Sequence, residues 1–164
     1  MAVINALIAI LWLIVPLFVD QRISRTIAGG SAGTWGYLGF LLFINIGFAG
    51  FAGFAILYYV LPLGRAVKGS LAWLHLSLME AGTLGATALL GAAGYIGGTT
   101  ILEETAKGTA ARDIPGIVHG RIAPLVTEPL PWVGIFAALA GLGVLLGIVA
   151  LFASSRGAAT QAPT

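Results

Sequence analysis

Residues 70–98 read SLAWLHLSLMEAGTLGATALLGAAGYIGG, a run whose only acidic side chain is Glu80 and whose only histidine is His75. Hydrocarbon offers no partner to backbone N–H and C=O groups, so a chain that crosses it must bond them internally. A helix of about 20 apolar residues does this across the roughly 30 Å core of a bilayer. The stretch therefore reads as a membrane span, and its many Gly and Ala residues leave room for a neighbouring helix to come close.

Three further apolar runs flank it. The first extends from about Ala2 to Val19 and stops at Asp20-Gln21-Arg22, with Pro16 expected to kink its last turn. MAVINALIAILWLIVPLFVDQ lacks the basic n-region and A-x-A-like site of a signal peptide and is read as an uncleaved span. Ile23 to Gly33, containing AGGSAG, reads as a loop.

The second span, about Thr34 to Leu63, would measure roughly 45 Å as a helix and must tilt or protrude. Its centre, GFAGFAGFA, places Gly47, Gly50 and Gly53 three apart as a stripe for close helix packing. Tyr58 and Tyr59 fall where an interfacial aromatic belt is expected, and Pro62 ends the helix. The last span, Trp132 to Ala153, carries a second packing pair, Gly143 and Gly147.

The expected fold is thus an all-α integral membrane bundle of four transmembrane helices in one domain, 1–153, with 154–164 a flexible tail. Glu103 to Pro131, with its charges and prolines, is expected to be the longest extramembrane segment.

Composition narrows the function classes. Hydrophobic residues make up 59% of the chain and charged residues 9%, far below the roughly 25% charge of a soluble domain. A net charge of +2 on scattered basic residues does not fit nucleic acid. With no Cys, thiolate metal sites, iron–sulfur clusters and disulfides are excluded.

Glu80 is the leading candidate for chemistry. It lies about ten residues, or roughly 15 Å, into its span, where an ionisable group is costly. Ser77, Thr83 and Thr87 share its helical face, so the group reads either as a proton or quinone path or as a hydrogen-bonded Glu joining two helices. His75 reads as an interfacial histidine bonded to a backbone carbonyl or a lipid headgroup, with Met79 one turn on. Its one possible haem co-ligand, His119, belongs to the opposite loop on the order of 25 Å or more away, so one protomer does not clamp a haem. His119 reads as a solvated loop residue or subunit contact, and Asn45 as a hydrogen bond across a helix pair.

Spans two to four together resemble the C-terminal helices of heme-copper oxidase catalytic subunits, in the variants of the B-type oxygen reductases and nitric oxide reductases. The residues that carry the resemblance are Tyr58-Tyr59-Val60-Leu61-Pro62, the turn with Arg65 and Lys68, Leu71-Ala72-Trp73-Leu74-His75-Leu76, and Trp132 to Phe152. The family holds haem through a His-x-His pair about twenty residues before the proline. Phe40 and Leu42 stand there instead.

The resemblance implies a split-off or duplicated, redox-silent helper: an accessory subunit of a respiratory electron-transfer complex, of the terminal oxidase kind, packed on the catalytic subunit. It also implies other membrane subunits, lipid and quinol as partners, no cofactor held by this chain alone, and haem or quinone only at a shared interface. The expected location is a prokaryotic inner membrane with both termini cytoplasmic, resting on the short basic second loop and on the resemblance, since Lys and Arg alone favour the other side. Two alternatives stay open: a small cytochrome b or quinone-binding anchor using His75, and a small transporter or channel.

Overall fold

The structure, a computed structural model, describes residues 1–15, 18, 33–60, 69–128 and 131–156. The expectations for Pro16, for Asp20 to Arg22, for the loop up to Ala32, for Pro62, Arg65 and Lys68, and for the tail from Gly157 lie outside the described residues. The described residues are helical throughout their regular structure. They form α1 (Ala2–Ile14), α2 (Thr34–Leu42), a π-helical segment (Phe43–Gly50), α3 (Phe51–Val60), α4 (Gly69–Ala106), α5 (Ile114–Val126) and α6 (Trp132–Arg156).

Among the described residues, three helices are long and apolar enough to cross a membrane: the continuous Thr34–Val60, Gly69–Ala106 and Trp132–Ala153. The expected fourth is not established, because the described part of the first span is a helix of 13 residues, about 20 Å long. Exposed Trp and Tyr side chains among the described residues mark two levels along the bundle. Trp73 and Tyr59 lie towards one end, and Tyr95, Tyr37 and Trp132 towards the other. From Trp73 to Tyr95 the rise along α4 is about 33 Å, close to the thickness of a hydrocarbon core. Both ends of the 38-residue α4 must therefore stand outside it.

α4 is the central helix, in contact with α6, α2, α5 and the π segment. Its contacts are made where side chains are missing. A Cβ on Gly82 would overlap the backbone of Ala140, and one on Gly143 would lie 2.9 Å from Met79 Cα. One on Gly147 would meet His75 Cε1 at 2.6 Å. The pairs 82·140, 79·143 and 75·147 advance in opposite directions, so α4 and α6 are antiparallel along a continuous seam. On its other flank α4 meets α2 through Gly94 against Gly36, and through Gly39 against Thr87 and Leu90.

The expected glycine stripe of the second span behaves differently along its length. Gly47 lies against Phe43 and Thr83, and Gly50 against Met79, whereas nothing stands within 4 Å of a Cβ on Gly53. A spacing of three falls short of the 3.6-residue turn, so the stripe rotates off the interface.

The segment after α4 is more ordered than its prolines suggest. α4 is terminated by Gly108, two residues past its end, whose φ of 77° lies in the left-handed region, with Gly108 N–H bonded to Thr105 O and Thr109 N–H to Glu104 O. This is a Schellman termination. The chain then turns back as α5, with Pro115 in the first turn, where its missing N–H costs nothing. Val118 and Ile122 are buried with Ala93, and Trp35, Ile96 and Ile101 pack around them. The expected extramembrane loop thus contains a helix that caps one end of the bundle.

Replacing Gly82 with Ala forces a methyl group into the backbone of α6 and is expected to destabilise the bundle by about 1–3 kcal/mol. Gly53→Ala adds its methyl to open space and should change stability by less than about 0.5 kcal/mol. Unfolding of both variants in detergent checks this; equal losses would contradict the assigned seam.

Candidate functional site

At the level of Glu80 three segments meet through one carboxamide. Asn5, on α1, is completely buried, and its Nδ2 donates both to Gly47 O at 2.6 Å and to Glu80 Oε2 at 3.0 Å. Gly47 lies within the π segment, so Asn5 ties α1 to both α4 and span two. A carbonyl can only accept, so the Asn5 atom facing Gly47 is the nitrogen, and the same nitrogen reaches Glu80. Asn5 Oδ1 is buried without a partner. π-helical turns are uncommon and often mark functional positions. Sequence reasoning passed over Asn5, the one strongly polar side chain between Met1 and Phe18.

The other members of the proposed strip separate. Thr83 and Thr87 are buried and their hydroxyls have no partner, whereas Ser77 is exposed on the outside of α4. Thr83 lines a cavity of about 140 Å³ between the three long helices, together with Leu42, Ile46, Ala86, Ala140 and Val144. Glu80 is half-buried and is not part of that lining. The structure thus brings Glu80 to Asn5, Thr83 and Thr87 to the helix interfaces, and leaves Ser77 outside. Asn45 does not bridge helices: its Nδ2 donates to Leu41 O of its own helix at 2.8 Å.

His75 forms a second polar joint. Its Nδ1 lies 2.6 Å from Gly143 O, and because a carbonyl only accepts, Nδ1 carries the proton and donates. The expected bond to a backbone carbonyl is thus made, but in the interior: His75 has no exposed surface. Its ring packs 4.3 Å from the Phe54 ring and 5.8 Å, edge-on, from Tyr58. Gly147 is bare at the one place where a side chain would strike the imidazole. Nε2 and the Tyr58 hydroxyl are both buried without partners.

A porphyrin on Nε2 needs an open face as broad as the macrocycle, and a ring enclosed on these sides with no exposed surface does not provide one. The residues around His75 do not fit a haem. His119 is exposed on α5 beside Ile101, 26 residues along α4 from His75, a rise of about 39 Å. Among the described residues, no group of three or more His, Asp or Glu side chains is placed to hold a metal ion.

Beyond the Tyr95 level a polar collar joins α4 to α5. Arg121 donates to Thr100 Oγ1 at 3.1 Å and to Glu103 Oε2 at 3.0 Å. Glu104 accepts from Lys107 Nζ at 2.7 Å and from the Thr109 hydroxyl at 2.8 Å. Those bonds, the Lys107 bond foremost, hold the Glu104 carboxyl below its ordinary value of 4.5.

No protein family model, curated protein or solved structure matches this chain.

Because Glu104 is held low in the folded chain, its stabilising contribution is complete above pH 4.5 and is lost as pH falls through the lowered value. Unfolding of the wild type in detergent is therefore expected to weaken on acidification below that point, with a smaller acid-side change in Glu104→Gln. Identical acid profiles for the two would contradict the assignment.

Proposed function

We propose that this chain is an accessory, redox-silent membrane subunit of a respiratory electron-transfer complex, of the heme-copper terminal oxidase kind. The observation that carries the redox-silent part is His75. Its Nδ1 is committed to Gly143 and its ring is enclosed by Phe54, Tyr58 and Gly147, so the only histidine within the spans is a helix joint and not an iron ligand. At the positions where the resembling family keeps its ligands, Phe40 instead packs at a tilt against Trp12 with ring centroids 6.5 Å apart, and Leu42 lines the interhelical cavity.

The respiratory assignment rests on the resemblance of spans two to four. In this reading the chain docks on the catalytic subunit within the bilayer, and Glu80 is the ionisable group it brings to the shared environment. A haem-binding anchor that uses His75 is disfavoured by the same packing.

Extraction in a gentle detergent is expected to recover redox subunits and a haem spectrum together with the chain, and His75→Ala should leave that spectrum unchanged. Purification without any redox partner would sink the assignment. A haem signal lost in His75→Ala would favour the cytochrome alternative.

A further inference from the structure

We propose that Glu80 is a proton-binding site, kept in the bundle as the protonated acid in a two-point pair with Asn5. Asn5 has two amide hydrogens and one carbonyl oxygen; the hydrogens go to Gly47 O and Glu80 Oε2, and the oxygen has no donor. At this depth water is scarce and an unmet polar atom is costly. Of the two groups bonded to Asn5, the Gly47 carbonyl can only accept, whereas the Glu80 carboxyl can also carry a proton.

In the proposed pair that proton sits on the second oxygen of Glu80. A carboxylic acid presents an acceptor and an O–H donor side by side, and a carboxamide presents the complementary donor and acceptor. With the proton on Oε1, Glu80 donates to Asn5 Oδ1 while Oε2 accepts from Nδ2. Every hydrogen-bonding atom of Asn5 is then satisfied.

As a carboxylate, Glu80 offers only acceptors and leaves Oδ1 facing a negative charge. Ionisation therefore breaks the O–H bond, passes the proton to water or a buffer base, and replaces one attraction in the α1 seat with a repulsion. The seating of α1 on α4 and the π segment depends on that proton. Asn5 is a positioning residue: it sets how firmly Glu80 holds the proton.

Other charges on the facing elements are few. α1 brings only the amino group of Met1, one turn before Asn5, and the π segment and the span Trp132–Ala153 bring no titratable side chain. On α4 itself the near titratable group is His75, bonded to α6. This inference deepens the reading of Glu80 as a proton-exchanging group and does not depend on the identity of any partner complex.

Glu80 is the only acid in residues 70–98, and Glu103 and Glu104 belong to the ion-paired end of α4, so infrared spectroscopy of the full chain in nanodiscs at pH 7 isolates it. The wild type should show the C=O stretch of a hydrogen-bonded, protonated carboxylic acid, absent from Glu80→Gln and shifted towards the free acid in Asn5→Ala. Gln copies the donor–acceptor edge of the protonated acid. Glu80→Gln should therefore melt close to the wild type at pH 7 and stay level at alkaline pH, where the wild type weakens, while Glu80→Ala is destabilised throughout.

The absence of an acid band at pH 7, or a band indifferent to Asn5→Ala, would overturn the proposal. So would a Gln variant as unstable as the Ala variant, a result readable even where Asn5→Ala fails to fold. None of these outcomes bears on co-purification with a redox complex, so the two readings fail separately.

Discussion

Between helices already surrounded by hydrocarbon there is little hydrophobic drive to associate, and cohesion must come from close packing and from polar bonds. The contact of α4 with α6 meets that constraint by omission. Gly82, Gly143 and Gly147 let the two backbones approach until each glycine is filled by atoms of the opposite helix, and Gly94 and Gly36 repeat the device towards α2. Large apolar side chains such as Leu145, Val149 and Phe152 are left on the outside, where acyl chains would meet them. Small residues thus line the closest helix contacts and many bulky ones face outward, while Phe43, Phe51, Phe54 and Met79 fill the space left between the helices.

The polar residues follow from the same geometry. Close backbone approach exposes carbonyls of one helix to side chains of the next. His75 takes Gly143 O, and Asn5 takes Gly47 O while holding Glu80. Arg121 performs the corresponding task at the wetter end, binding Thr100 and Glu103. Each joint closes a different pair of elements at a different height. In membranes such bonds contribute about 0.6 to 1.7 kcal/mol each, so their main effect is on register and on which faces meet.

Much of this was legible in the amino-acid order. The apolar runs, the Gly143 and Gly147 pair and the singular position of Glu80 are signals of composition and spacing. What they do not contain is the partner: nothing local to Gly147 says that His75 fills it, and nothing near Glu80 points to a residue 75 positions earlier. Asn5 carries no charge and barely perturbs its apolar run. Helix α5 was hidden by Pro115, Pro124 and the surrounding charges, although Ile114, Val118 and Ile122 repeat every four residues on the face that becomes buried. The π segment has no residue signature at all; its glycines fit equally well in an α-helix.

α4 is the axis on which the two other long helices converge, and Met79 is where they do so. Its side chain is 1% exposed, its terminal methyl lies 2.8 Å from a Cβ placed on Gly50, and its backbone lies against Gly143. The chain has only two methionines, so methyl-labelled methionine in nanodiscs yields an interior signal free of overlap. Nuclear Overhauser contacts are expected from the Met79 methyl to Gly50 and from the Met79 backbone to Gly143. A Met79 methyl that contacts only lipid acyl chains would contradict this arrangement.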